Sequence, residues 1–208
     1  MRTPLPSQDR QCGAVLLVAL FVMLVLLILG ISAAHTALSA EKAARGERDR
    51  LVAFQAAEAA LGDAERDIEG SPAQPPARAA MFDPHSSAGF ADGCGAGENN
   101  PALGLCRFVH PGGVPAWQRA ALAESEGEQV RTVRFGRFTG RIMPVGQGAL
   151  PARLPRYVIE LLPYARPGED AENRIGNFYR ITAIGFGASD ATHVVLQSFY
   201  LKAGEEAA

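Results

Sequence analysis

The chain has 208 residues, 48% of them hydrophobic, and its 20 Lys and Arg nearly balance its 22 Asp and Glu, for a formal charge of −2 and a pI near 6.1. That balance offers no basic surface for nucleic acid. No internal repeat divides the sequence.

The first predicted elements are a polar leader, MRTPLPSQDRQCG, and the run that follows it, AVLLVALFVMLVLLILGISAA from Ala14 to Ala34, which carries no charge. At about 1.5 Å per residue these 21 residues would form a helix roughly 31 Å long, the thickness of a bilayer's hydrocarbon core. The leader sets Arg2 and Arg10 against Asp9 and is weakly positive, as a cytoplasmic flank should be. Glu41, Lys42, Arg45, Glu47, Arg48, Asp49 and Arg50 beyond the run are mixed in sign, so counting Lys and Arg does not fix the orientation. Ser32-Ala33-Ala34 has the small residues of a secretory cleavage site. Against secretion, the run exceeds the roughly 7 to 15 residues of a signal core and helical sequence continues past the supposed cut.

From Thr36 to Glu69 the sequence is rich in Ala, Glu, Arg and Leu without a proline, which predicts helix. Phe54, Ala57, Leu61, Ala64 and Ile68 recur at spacings of three and four and form one face, while Glu58, Glu65, Arg66 and Asp67 are expected away from it. Gly46 and Gly62 should soften the helix without ending it, each at about 1 kcal/mol relative to alanine. The stop is Gly70-Ser71-Pro72, followed by Gln74-Pro75-Pro76. About 139 residues then remain, enough for one domain with its own core.

In that remainder GCGAGENNPALGLC, rich in Gly and Asn, reads as a loop. Pro115 to Glu124 predicts a short helix with proline in its first turn and Trp117 packed on the domain. Strands are predicted over Gln129–Val145, Arg156–Pro163, Asn177–Gly187 and Thr192–Lys202. Tyr157, Ile159 and Leu161 alternate with Arg156, Val158 and Glu160 to give one apolar face, and Gly187-Ala188-Ser189-Asp190 reads as the turn between the last two strands. An antiparallel sheet laid against the second half of the long helix follows, an α+β arrangement.

Motifs for catalysis are missing: no GxSxG, no HExxH and no GxxxxGK[ST]. Glu98, Glu124, Glu126 and Glu128 lie in polar stretches and read as solvated, and His35 and His193 as interfacial or strand-surface residues. The chain is therefore expected not to be an enzyme and to need no cofactor.

The leader ending in Gly13, the uncharged start at Ala14 and the long half-apolar helix together resemble a type IV pilin signal. RDRLVAFQAAEAALGDAE, Arg48 to Glu65, and YRITAIGFGASDATHVVLQSFY, Tyr179 to Tyr200, narrow the resemblance to the PilX family of pilus assembly proteins, minor pilins of Gram-negative bacteria. The resemblance covers about the first 70 residues and the last 30. It implies a pilin-like fold and cleavage by a prepilin peptidase between Gly13 and Ala14, followed by methylation of the new Ala14 amine. It implies a leader at 1–13, a transmembrane segment at 14–34, a periplasmic half-helix at 35–70 and a periplasmic globular domain at 71–208. The implied location is the inner membrane and later the pilus tip. Implied partners are other minor pilins, the major pilin, the inner-membrane pilus assembly machinery and a PilY-type tip adhesin.

One departure from the pilin pattern bears on position in the filament. Major pilins carry glutamate at the fifth mature position, which here is Val18. In the family picture that carboxylate pairs with the amino terminus of a neighbour inside the apolar bundle, where either charge alone would cost several kcal/mol. A tip pseudopilin of similar build lacks the acid too. The same resemblance sorts the cysteines: Cys12 leaves with the leader, while Cys94 and Cys106 share the oxidising side, where a disulfide is the economical reading and a zinc site of His85, Cys94, Cys106 and His110 the alternative. The function expected is that of a minor pilin assisting pilus initiation. Processing at Gly13 supports it, whereas a retained leader would indicate a single-pass envelope adaptor and cleavage at Ala34 a secreted periplasmic binding domain.

Overall fold

The computed structural model describes residues 12–83, 86–109, 112–123, 129–162 and 176–203. Helix α1 runs without a break over Cys12–Glu69, through Gly46 and Gly62. The chain divides between Glu47 and Arg48 into two units. In the first, every described side chain from Ala14 to Glu47 is exposed. Thr36 and Ser39 donate their hydroxyls to the carbonyls of Ser32 and His35, at 3.0 and 2.9 Å, which keeps these polar groups satisfied within the helix itself.

The second unit builds its core on a five-stranded sheet of β1 (Leu105–Arg107), β2 (Val133–Arg134), β3 (Arg156–Leu162), β4 (Gly176–Phe186) and β5 (His193–Ala203). The strands β3, β4 and β5 are antiparallel neighbours, with Ile159 opposite Ile181 and Ile181 opposite Ser198. The outer edge of β3 is shared by β1, which is parallel to it, and β2, which is antiparallel. Helix α2 (Pro76–Ala79) follows α1, and α3 (Ala116–Arg119) is the core of the predicted Pro115–Glu124 helix.

Alternation along the strands sends Tyr157, Ile159, Tyr179, Ile181 and Ala183 into a core shared with Ala60, Ala64 and Ile68 of α1 and with Phe82, Phe90, Leu103 and Phe138. The opposite alternation sends Val158, Ile184 and Phe186 to the other face, where they meet Cys94, Cys106, Ala116, Ala120 and Leu122. Each Val, Leu, Ile or Phe side chain buried in this way contributes about 1.5–3 kcal/mol relative to exposure. Both faces are therefore covered over β3 and most of β4.

The predicted strands over 156–163, 177–187 and 192–202 form almost within their bounds, and the turn between the last two closes through the Gly187 amide on the Thr192 carbonyl at 2.8 Å. The predicted strand Gln129–Val145 is corrected: within it only Val133–Arg134 pairs as a strand. Gly136 and Gly140 adopt φ of +78° and +70°, and a side chain at Gly136 would run into the Arg141 carbonyl, so the backbone turns there. The segment that read as a loop around the cysteines contains β1, a three-residue strand with Cys106 at its centre. Such a strand is too short for alternation to reveal, and it exists through pairing with β3.

Candidate functional site

Three places answer to the residues singled out in the sequence. The first is the start of α1, where Gly13 and Ala14 lie in the opening turn of the helix and Val18 follows on its surface, 60% exposed. An 18-residue window in this helix reaches a mean hydropathy of 3.3, and by length and composition α1 can cross a membrane. No acidic or basic side chain stands between Ala14 and Ala34. This surface can dissolve in lipid or pack on apolar helices, and it offers a neighbour no charge.

The second is the seam between α1 and the sheet. Ala53, Ala56, Ala57, Ala60 and Ala64 are buried there, and their small size lets the helix backbone approach Gly185 of β4 closely. A Cβ on Gly185 would fall onto the Ala53 carbonyl and the Ala57 amide. The FQAAEAAL element is thus a packing surface. Phe54, expected on this face, is 39% exposed at its border, because a ring does not fit where a helix and a glycine approach so closely.

Asp67, expected on the outside, is fully buried and is the main correction to the sequence reading. Arg78 donates to its carboxylate from Nε at 3.2 Å and from Nη2 at 2.6 Å, Gln74 donates at 2.8 Å, and the Tyr157 hydroxyl donates at 3.0 Å. Arg78, also fully buried, uses Nη1 on the carbonyls of Pro101 and Leu103, both at 2.8 Å, and its guanidinium lies 4.2 Å from the centre of the Phe138 ring. One ion pair therefore joins the end of α1, the chain after it, the 101–103 turn and β3. Burial, together with Asp67 beside it, pushes the Tyr157 phenol well above the ordinary tyrosine value. One turn earlier the buried Asp63 accepts from the Gly136 amide at 2.7 Å and the Thr139 hydroxyl at 2.5 Å, which is why the chain turns there instead of continuing as a strand. Sequence reasoning missed both carboxylates; the available signal was their position between Ala60, Ala64 and Ile68, on the alanine side of the helix.

The third is the cysteine pair. Cys94 and Cys106 are joined with S–S 2.03 Å, so neither thiolate is free for zinc in this state, and His85 and His110 of the alternative set lie outside the described residues. Among the described residues no group of three His, Cys, Asp or Glu is placed to hold a metal ion. The disulfide ties the loop before β1 to that strand and forms part of the cover over Val158 and Phe186. Trp117 packs partly on the same cluster. His193, the first residue of β5, is exposed, as are His35 and Glu98; Glu124, Glu126 and Glu128 lie outside the described residues. These arrangements bind the chain to itself or leave surface for partners.

Residues 13–61 match the family model described as PilX N-terminal, and residues 92–202 match the model described as type IV pilus assembly protein PilX C-term. Neither a curated protein nor a solved structure matches the chain. The matched stretches take in the apolar start of α1 and its seam from Ala53 to Ala60 in one, and the disulfide, β1 to β4 and β5 up to Lys202 in the other. The chain belongs to the PilX family of type IV pilus assembly proteins, a pilus-building family and not an enzyme family.

Proposed function

We propose that this PilX protein is a minor pilin that begins a stack of subunits, is cut between Gly13 and Ala14, and is methylated at the new amine. The observation that carries this reading is Val18. An uncharged helix surface at that position cannot pair with the amine of a subunit already in place, while the Ala14 amine can still receive a carboxylate from the subunit added next. Its partners in this reading are other minor pilins and the major pilin through the α1 bundle, the prepilin peptidase, the inner-membrane assembly machinery and a PilY-type adhesin at the tip. Its domain is periplasmic before assembly and at the pilus tip afterwards.

Deletion should reduce the number of pili without altering the shaft, and labelled protein should lie at one end of a pilus. Label spread along the shaft in amounts comparable to a major pilin would overturn the role, and an unchanged pilus count would favour an envelope-anchored adaptor. Mass spectrometry of the mature N-terminus separates the two at an earlier step. Cleavage after Gly13, abolished by Gly13→Arg, is the result expected.

A further inference from the structure

The overall balance of charge conceals one strongly basic stretch. From Gln129 to Arg156 the chain carries six arginines and no Asp, Glu or Lys. Three of them, Arg134, Arg137 and Arg141, line a single shallow depression of about 350 Å³ together with Phe135, Ile142 and Met143. The turn that carries them is fixed from behind, because the buried Asp63 of α1 accepts from the Gly136 amide and the Thr139 hydroxyl. Arg141 lies 3.8 Å from Asp63 and 4.9 Å from the centre of the Phe135 ring, so part of its charge is answered within the fold. Arg137 donates to the Glu98 carbonyl at 2.7 Å, and among the described residues no carboxylate pairs with it or with Arg134. Beside these charges the chain runs on without helix or strand and leaves Ile142 94% exposed, more than the 73% of Leu16 in the apolar run. Val145 and Leu150 in the same stretch are exposed too.

We infer that this face docks the second unit onto a bilayer, with the guanidinium groups on the phosphates of anionic lipids and Ile142 inserted among the acyl chains. Guanidinium forks match phosphate oxygens two at a time, and arginines set beside projecting Ile and Val suit the boundary between headgroups and hydrocarbon. A nucleic acid or a free anion would meet the arginines but leave Ile142 in water, and a purely apolar partner would strip water from the charges without replacing it. What selects lipid over an acidic protein or a second copy is the tether. Residues 35–47 alone separate the uncharged run from the second unit, so a chain anchored by α1 holds its domain beside a bilayer at high effective concentration, whereas any other partner must arrive by diffusion. The inference rests on α1 as a membrane anchor and is independent of whether the subunit sits at the pilus tip.

The test uses the full-length chain reconstituted in vesicles, with Cys12→Ser and a dye on Gln147→Cys, an exposed loop position, while Cys94 and Cys106 stay joined. Only protein that remains on the vesicles after a carbonate wash is scored, so a failure of α1 to insert is told apart from a failure of the domain to dock. Lipids brominated near the headgroup should quench the dye in phosphatidylcholine with about 30% phosphatidylglycerol and not in phosphatidylcholine alone. Arg134→Gln together with Arg137→Gln should lower the ratio of docked to free domain about 30-fold, from about fivefold for each arginine. Arg134→Lys with Arg137→Lys keeps both charges and should cost less than about fivefold, and Ile142→Ser should cost about tenfold. All of these variants should keep the melting temperature within about 2 °C, as exposed side chains do. Equal quenching in the two lipids, quenching unmoved by the double glutamine variant, quenching lost on dilution to single copies per vesicle, or none at all would each overturn the inference. The third of these results would assign the face to a second copy of the chain, and the last to a soluble acidic partner.

Discussion

The two faces of the sheet are covered by different means. Against one lies α1, a regular helix whose own hydrogen bonds are complete before it packs and whose alanines allow it to settle close to Gly185. The other is covered by residues between Cys94 and Leu122, a segment whose described residues form one three-residue strand and one four-residue helix and which is closed by the Cys94–Cys106 bond. A helix brings its own order to an interface. A loop must be ordered by the interface, at a cost of about 1–2 kcal/mol per residue, and a covalent link reduces that cost by restricting the unfolded chain. The helix side should therefore depend on matched shape and one buried charge pair, and the loop side on the disulfide.

The largest effect should come from the charge pair. Arg78→Met keeps most of the volume but strands the Asp67 carboxylate away from water, a loss of about 3–5 kcal/mol in urea unfolding of the detergent-purified protein. Adding Asp67→Asn removes the stranded charge, and the double variant should recover a good part of the loss. If the single and double variants are equally destabilised, the charge is not what the arginine is there to neutralise.

On the other face, Cys94→Ser with Cys106→Ser should cost about 3 kcal/mol, the figure for closing a short loop in the chain-entropy model. The location of the change matters more than its size. Trp117 is the only tryptophan and packs on the loop-side cluster, so its emission should shift to the red on loss of the disulfide while the helical circular dichroism stays constant. A loss of helix signal would show that the two covers are not separable. Gly185→Ala probes the opposite side: its methyl group meets the backbone of α1, for about 1–3 kcal/mol, and should leave the Trp117 emission unchanged.

This division also explains what could be read in the sequence. A helix of period 3.6 and strands of period 2 write their faces into nearby residues, and α1, β3, β4 and β5 were legible within a residue or two. The loop-side cover was not, because its positions are set by contacts far along the chain, as when Cys106 becomes extended by pairing with β3. The second face of β3 is the clearest case. Arg156 and Glu160 break the apolar pattern yet are buried like Val158 between them, and the two charges are held there by Thr132 and by Arg180. Asp67 was misplaced for the same reason. Composition marks a carboxylate as outward-facing, and only a distant Arg78 makes its burial tolerable. In the candidate site, residue types alone give Val18 and the two cysteines, whereas the numbering that makes Val18 the fifth mature position rests on cleavage after Gly13, and the pairing of Cys94 with Cys106, against a zinc site, on their approach in the fold.

The smallest expected effect lies where the helix side meets the edge of the sheet. Tyr200 of β5 donates its hydroxyl to Glu69 at the end of α1, and Lys202 donates to the Ile68 carbonyl at 2.8 Å, so the last turn of the helix is tied to the last strand of the sheet. Partial burial, and then the neighbouring Glu69 carboxylate, push the Tyr200 phenol up to about 12 from the ordinary 10.0. The folded chain thus holds this proton more tightly than the unfolded one. Its contribution to stability is complete below pH 10 and is lost as the pH rises toward 12. Tyr200→Phe should change stability at neutral pH by no more than about 0.5 kcal/mol, as an exposed contact would. The difference between variant and parent in urea unfolding should then close, or reverse, between pH 10 and 12, because only the parent has the phenol to lose. Parallel stability curves across that range would mean that the tie between β5 and α1 rests on Lys202 alone.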